Sequence, residues 1–156
     1  MQFLIVVAIC SVFVFAGLFM CFTGLNNILT ARESVYWKPA NGKITFSEIE
    51  ENSDSDGPTY KPSVRYSYKI NGREYSGSTI YIGDGNSSTN DRSYARRFVE
   101  KYPLEKEVIV YCKPDDPKRS TLEPGLMKAS FILFTFGVGF AFMGLWTIFL
   151  FWLYQP

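Results

Sequence analysis

Three carboxylates lie close together near the end of the sequence, in the stretch VYCKPDDPKRSTLEPG (residues 110–125). Asp115, Asp116 and Glu123 could together bind a divalent cation, because Ca²⁺ and Mg²⁺ prefer carboxylate oxygens. However, Pro-Asp-Asp-Pro is strong turn chemistry, since Pro fixes φ and Asp bonds the backbone that follows it. Nothing in the sequence places the three carboxylates on one rigid element. We therefore interpret them as turn residues between a folded domain and an apolar run, with a weak carboxylate cluster as the alternative.

The residue types of the commonest catalytic sites are missing from the chain. It contains no histidine, which excludes a Ser–His or Cys–His nucleophile and metal binding through imidazole. Cys112 lies on a predicted strand and is interpreted as a structural thiol. Residues 31–123 carry fifteen Lys or Arg and fifteen Asp or Glu. This neutrality removes the positive surface that nucleic-acid binding requires. The sequence therefore predicts a protein that is not an enzyme and has no cofactor, metal site or nucleic-acid partner.

Two further patterns resemble ligand-binding loops only in part. NSDSDG (residues 52–57) copies the first six positions of a calcium-binding loop, but Ser63 replaces the Glu required at position 12. Gly83-Asp84-Gly85 follows a predicted strand as a dinucleotide loop would, but the third glycine is missing and Asp84 would repel a phosphate. We interpret both as solvated loops.

The clearest structural signal is the alternation in VRYSYKI (residues 64–70), which has the period of a half-buried strand. Asn71-Gly72 follows and supplies the positive φ angles of a type I′ turn, so a two-residue hairpin is predicted. The turn fixes the register. The predicted pairs are Ile70–Arg73, Tyr68–Tyr75, Tyr66–Gly77 and Val64–Thr79. One face of the hairpin then holds Val64, Tyr66, Tyr68, Ile70, Tyr75 and Tyr81.

Hydrophobic periodicity predicts the rest of the domain between residues 31 and 125. The remaining elements are a strand over residues 43–51 with Ile44 and Phe46 on one face, a polar loop over 52–58, a helix from its cap at Asp91 to Tyr102, and a strand over 107–112. The predicted fold class is α+β. It consists of a small, mostly antiparallel β domain, either a sandwich or a partly open barrel, with one short helix.

Two long apolar runs flank this domain. No charged residue occurs from Phe3 to Leu25 or from Ala129 to Pro156. Each run exceeds the roughly 20 residues that cross a bilayer as a helix. The predicted organisation is a transmembrane helix over residues 3–27, a β-rich soluble domain over 31–125 and a second transmembrane helix over 126–154.

Small residues recur at matching offsets along the two runs. They are Gly17, Cys21 and Gly24 in the first, and Gly137, Ala141 and Gly144 in the second. In lipid, helices approach most closely where the residues are small. In an antiparallel pair, Gly17 and Gly137 lie at about the same depth. They are predicted to form a helix–helix contact, either within one chain or between copies of it.

Several motifs, in a fixed order, resemble a known family. They are WKP at residues 37–39, GKI at 42–44, Tyr66 and Tyr68 followed by Asn71-Gly72, Tyr75 and Gly77, Tyr102-Pro103, VIVY at 108–111, DDP at 115–117 and LEPG at 122–125. This order is similar to a family of small, mostly bacterial membrane proteins catalogued as a domain of unknown function (DUF3592). The resemblance covers about residues 36–125 and implies a β-rich domain beside transmembrane helices. It implies no activity and no site.

Basic residues near the ends of the apolar runs indicate an orientation. They are Arg32, Lys38, Lys43, Lys113, Lys118, Arg119 and Lys128, whereas the two tails offer only an α-amino group. The positive-inside rule therefore places the domain in the cytoplasm. With the family resemblance, this predicts an integral protein of the bacterial inner membrane.

The predicted function is that of a membrane-anchored, non-enzymatic interaction or accessory module. Its expected partners are the lipid bilayer and either another protein or a second copy through the transmembrane helices. The tyrosine-rich face (Tyr66, Tyr68, Tyr75 and Tyr81) is a candidate interaction surface, because Tyr is enriched at interfaces. Its alternative role is the domain core. Two other functions stay open: a ligand- or ion-responsive membrane protein, and a small immunity-type membrane protein.

Overall fold

The computed structural model describes residues 2–55, 57–83 and 88–153. Its elements are helix α1 (Gln2–Glu33), a 3-10 turn (Ser34–Tyr36), strands β1 (Lys38–Asp54), β2 (Gly57–Ile70) and β3 (Arg73–Gly77), helix α2 (Arg92–Lys101), strands β4 (Glu107–Cys112) and β5 (Ser120–Thr121), a second 3-10 turn (Lys128–Phe131) and helix α3 (Ile132–Leu153). The chain divides into two compact units, one of residues 1–29 and 127–156 and the other of residues 30–126.

The first unit contains most of α1 and all of α3. Within the described residues, Cys10–Tyr36 and Ile132–Leu153 are helical segments long and apolar enough to cross a membrane. The predicted end of the second helix, residue 154, lies outside the described residues. The first helix is longer than predicted, because it continues from the apolar run into polar residues and ends at Glu33.

The second unit is built on a five-stranded antiparallel sheet of order β3-β2-β1-β4-β5. The sheet is open, with β3 and β5 at its edges. Backbone hydrogen bonds from Leu122 to Thr79 and from Glu123 to Ile80 connect the segments that follow these two edge strands. The α+β class and the single short helix of this unit are as predicted. Helix α2 packs against β2 and β1. The side chain of its cap, Asp91, accepts a hydrogen bond from the backbone N–H of Ser93 at 2.8 Å.

The β2–β3 hairpin confirms most of the predicted register. Three predicted cross-strand pairs are present: Ile70–Arg73, Tyr68–Tyr75 and Tyr66–Gly77. Asn71 and Gly72 have φ values of 50° and 78°, as the type I′ turn requires. The pair Val64–Thr79 was wrong, because β3 ends at Gly77. The carbonyl of Thr79 instead accepts hydrogen bonds from the Tyr66 hydroxyl and from the backbone N–H of Leu122.

Strand β1 differs from its prediction in two respects. A bulge interrupts its pairing with β2 after Ile44, so that Ile44 faces Tyr66 and Phe46 faces Arg65. Because Arg65 and Tyr66 point to opposite sides of β2, Ile44 and Phe46 lie on opposite faces of the sheet, not on one. The predicted loop over 52–58 is mostly strand, since the β1–β2 ladder continues to the pair Asp54–Gly57.

Candidate functional site

The four tyrosines proposed as an interaction surface belong mainly to the domain core. Tyr66, Tyr68 and Tyr81 are 0%, 2% and 3% exposed, and only Tyr75 is partly accessible. The Tyr66 hydroxyl hydrogen-bonds Ser120 Oγ at 3.1 Å. Burial raises the pKa of Tyr66 above its ordinary value. Rings enclosed in this way present almost no surface to a partner.

The other buried hydroxyls of this cluster are also hydrogen-bonded. The Tyr68 hydroxyl donates to the carbonyl of Pro117 at 2.6 Å, and the Tyr81 hydroxyl lies 2.6 Å from that of Tyr94. The rings of Tyr68 and Tyr75 stack at a centroid distance of 5.8 Å. The hydroxyls of Tyr66 and Tyr68 therefore connect β2 to the segment after β3, to β5 and to the β4–β5 turn. The hydroxyl of Tyr81 connects the segment after β3 to helix α2.

The thiol of Cys112 lies in the same core, with 1% of its surface exposed. Burial raises the pKa of Cys112 to about 11. A thiol with this pKa is protonated at neutral pH and is therefore a poor nucleophile.

The three carboxylates named from the sequence have different environments. Asp116 forms a turn, because its Oδ1 accepts from the Lys118 N–H at 3.2 Å and its carbonyl accepts from the Arg119 N–H at 2.9 Å. Asp115 is exposed in the same turn. This turn connects β4 to β5 and so lies inside the domain rather than at its boundary with the apolar run.

Glu123 has a different role, because it binds the end of helix α2. Its Oε1 accepts hydrogen bonds from the Tyr102 hydroxyl and from Lys101 Nζ, both at 2.8 Å. Burial and the bond to Glu123 raise the pKa of Tyr102. Among the described residues, no three Asp, Glu, Cys or His side chains are grouped closely enough to hold a metal ion.

The predicted glycine contact is a feature of the first unit. A Cβ added at Gly17 would lie 2.8 Å from the carbonyl oxygen of Gly137 and 2.5 Å from the backbone nitrogen of Ala141. Similarly close approaches occur at Gly24 and Gly144. The two helices therefore make backbone contact within one chain over several turns rather than at one glycine pair.

The side of the sheet opposite the core is an open groove of about 710 Å³. We call it the polar face and define it by seven lining residues: Asn41, Lys43, Ser67, Lys69, Glu74, Glu107 and Ile109. Alternate residues of a strand point to opposite faces, so these residues lie one position from the buried ones. The polar face was not predicted, although the alternation that identified the core also identified Ser67 and Lys69 as outward-facing.

Charges of both signs are arranged across the polar face by strand register. Lys43 lies opposite Glu107 on β4 and opposite Ser67 on β2. Lys69 lies opposite Glu74 on the edge strand β3. Two lysines and two glutamates therefore balance, so the face is charged but formally neutral. It carries none of the excess positive charge typical of a nucleic-acid surface.

One large apolar side chain lies among these charges. Ile109 is 54% exposed and lies opposite Asn41 in the β1–β4 register. Ile109 lies at the β4 side of the groove. An exposed apolar side chain beside polar groups suits a protein–protein contact.

The fold defines the class of protein: an α+β domain with an open antiparallel sheet, in a chain that also contains two long apolar helices. A family model described as "Domain of unknown function (DUF3592)" matches residues 40–127, which is more than half of the chain. The chain belongs to the DUF3592 family. No curated protein matches it.

Proposed function

We propose that the chain is a membrane-anchored, non-catalytic module that binds a protein partner on the polar face. The observation that carries the proposal is Ile109, an exposed apolar side chain within a groove of balanced charges. Lysines and glutamates in fixed register select a partner by charge complementarity, while the apolar contact contributes affinity.

Membrane insertion is part of this proposal. Helix α3 has 22 residues, which corresponds to about 33 Å at 1.5 Å per residue and matches a hydrocarbon core of about 30 Å. Its exposed surface carries large apolar side chains such as Phe136, Phe142 and Trp152. These side chains suit a lipid environment, and the Lys and Arg distribution supports a cytoplasmic domain.

The chemistry of the described residues supports a non-catalytic role. The chain has no histidine, and burial raises the pKa of the Cys112 thiol to about 11, which favours the protonated form at neutral pH. Glu123 accepts hydrogen bonds from Lys101 and Tyr102 at the end of helix α2. Cys112 and Glu123 are thus explained by packing and hydrogen bonding.

A photo-crosslinking amino acid at position 109 tests the partner proposal in intact cells. We expect one dominant crosslinked protein. Leu104 offers a matched control, because it is also an exposed apolar side chain of the domain (58% exposed, against 54% for Ile109) but does not line the groove.

The captured protein is then purified and its affinity measured for the full chain and for Ile109→Asp. We expect at least tenfold weaker binding, because a charge replaces the apolar contact. Equal capture at positions 104 and 109, or unchanged affinity of the variant, would show that the polar face is not the binding site.

Orientation is tested by labelling one cysteine in a chain that lacks Cys10, Cys21 and Cys112. Glu48 is a suitable position because it is exposed on β1. A membrane-impermeant maleimide should react with Glu48→Cys only after the membrane is permeabilised. Labelling in intact cells contradicts a cytoplasmic domain.

A further inference from the structure

A second cavity, of about 390 Å³, lies beside the first residues of the domain. Thr30, the first residue of the second unit, lines it. Nearby, Ser34 Oγ accepts a hydrogen bond from the Gly125 N–H at 2.9 Å, which joins the two ends of the domain. A volume of this size falls within the usual range of small-molecule sites, about 300–1,000 Å³.

The charge of this cavity differs from that of the polar face. Lys118 and Arg119 line it, and no Asp or Glu is among its described lining residues. Neither Lys118 nor Arg119 forms an ion pair with another residue that the structure describes. Asp116 is the acidic residue nearest to Lys118 in the sequence. Its carboxylate accepts a hydrogen bond from the backbone N–H of Lys118, not from the ammonium group. Among the described residues, the cavity is therefore lined by two positive charges and no negative charge.

The two basic residues are held in position by backbone hydrogen bonds of the β4–β5 connection. The Arg119 N–H donates to the carbonyl of Asp116, and the Arg119 carbonyl accepts from the Lys113 N–H, both at 2.9 Å. The guanidinium group binds phosphate oxygens through two parallel hydrogen bonds, and lysine adds a compact charge.

Trp37 lines the same cavity and is 5% exposed, and its indole N–H is buried without a hydrogen-bond partner among the described residues. Buried polar groups are normally hydrogen-bonded, so this N–H is a donor left for an acceptor that reaches it from the cavity.

We propose that this cavity binds a phosphate group. Two cationic side chains and the unpaired indole N–H, with no carboxylate among the described lining residues, suit an anion with several acceptor oxygens. Two sources share this chemistry, a phospholipid headgroup and a soluble phosphate compound. Thr30 directly follows the apolar part of α1, so a headgroup is the nearer source; this choice rests on the proposed membrane insertion.

Isothermal titration of the purified full chain in an uncharged detergent tests the proposal. The probes are sodium phosphate and dihexanoyl phosphatidylglycerol. We expect saturable binding with one phosphate per chain. Binding of the lipid at least tenfold tighter than inorganic phosphate identifies a headgroup site, and equal affinities identify a site for a soluble phosphate. The absence of saturable binding with both probes overturns the proposal.

Two double variants distinguish phosphate binding in the cavity from general electrostatic attraction to the protein surface. Lys118→Gln with Arg119→Gln should weaken binding at least tenfold. Arg73→Gln with Arg96→Gln removes the same charge from exposed positions that do not line the cavity, and should change the affinity less than twofold. Equal weakening by the two double variants overturns the site.

Trp37→Phe keeps an aromatic ring and removes the unpaired donor, so binding should weaken at least threefold; unchanged affinity overturns the site as described. The melting temperature without ligand, measured for each variant, establishes that the chain is folded. Ile109→Asp should bind phosphate like the original chain, so that failure of the polar-face proposal and failure of this one are distinguishable.

Discussion

The two faces of strand β2 differ sharply although their residues alternate along one short segment. Val64, Tyr66 and Tyr68 are 0–2% exposed, whereas their neighbours Arg65 and Lys69 are exposed. On the buried face every ring contacts other core residues, and the tyrosine hydroxyls are hydrogen-bonded. On the opposite face the side chains border an open groove. The pleat of one strand therefore separates core residues from residues of the proposed binding surface.

The interactions on the two faces also differ in strength. Lys43 forms an ion pair with Glu105, but the two side chains are 50% and 66% exposed. Exposed pairs of this kind contribute about 0–1 kcal/mol. Full burial of an aromatic side chain contributes several times more. Substitutions on the buried face should therefore change stability, and those on the polar face should change binding.

The largest effect is expected for Tyr66→Ala. Tyr66 is fully buried, and truncation of a buried aromatic residue costs about 3–5 kcal/mol. Urea unfolding of the full chain in a mild detergent measures this change. Trp37 fluorescence is the signal for the domain when Trp146 and Trp152 are replaced by Phe. Tyr66→Phe is the control, and it should lose only about 1–2 kcal/mol, because the ring stays and the hydrogen bonds to Thr79 and Ser120 are lost. Equal losses for the two variants would contradict the role of the ring.

Alkaline pH should lower the free energy of unfolding through a group on the buried face. Burial raises the pKa of Cys112 from 9.0 to about 11, so the unfolded state loses this proton first as the pH rises. The stabilisation is fully present below pH 9 and is lost between pH 9 and 11. Two pKa units correspond to at most about 2.7 kcal/mol.

The free energy of unfolding of the original chain and of Cys112→Ala, measured from pH 8 to pH 11, checks this expectation. The variant should show a flatter decline, in addition to a constant offset from the smaller side chain. The remaining decline above pH 10 includes contributions from Tyr66, Tyr68 and Tyr102, whose pKa values burial also raises. Parallel curves for the two proteins would exclude a contribution from the thiol.

Gly42→Ala tests how closely β1 and its neighbours pack. A Cβ at Gly42 would lie 2.7 Å from both the Ser67 carbonyl oxygen and Val110 Cγ2. Overpacking of this kind costs about 1–3 kcal/mol. Asn41→Ala, one residue earlier and on the polar face, should change stability by less than about 0.5 kcal/mol. The same urea titration compares the two variants, and a similar loss in both would show that the faces are not separated at this strand.

The sequence was sufficient for elements whose signals are local. The hairpin turn requires only Asn71-Gly72. The short helix requires only a capping residue and aromatic residues repeated every four positions. Both elements were therefore predicted correctly. The bulge after Ile44 left no such signal, because no glycine or proline marks it. The extra residue in the bulge, Thr45, places Phe46 on the other face of the sheet. There the guanidinium of Arg65 lies 5.1 Å from the Phe46 ring centroid.

The candidate sites depend on which strands pair with one another across the sheet. Hydrophobic periodicity and turn motifs are local signals and do not predict this pairing. Ile109 and Lys69 are 40 residues apart in the sequence, and only the order of the strands brings them to one groove. Trp37 and Arg119 are further apart still. Their cavity depends on the β4–β5 turn, which the sequence interpretation had placed at the boundary of the domain.

The smallest change in stability is expected for Ile109→Asp. This variant gives the most direct comparison between the polar face and the buried face. Ile109 is half exposed, so its loss removes little buried apolar area, and exposed substitutions usually change stability by less than about 0.5 kcal/mol. Val110→Asp, at the next position, places the same charge at a side chain that is 0% exposed. A buried unpaired carboxylate is strongly disfavoured, so this control should unfold the domain or destabilise it by several kcal/mol. Urea unfolding of the two variants therefore compares the two faces at adjacent residues with one chemical change. If Ile109→Asp were also strongly destabilising, Ile109 would be part of the core, and the polar face would lose its apolar contact.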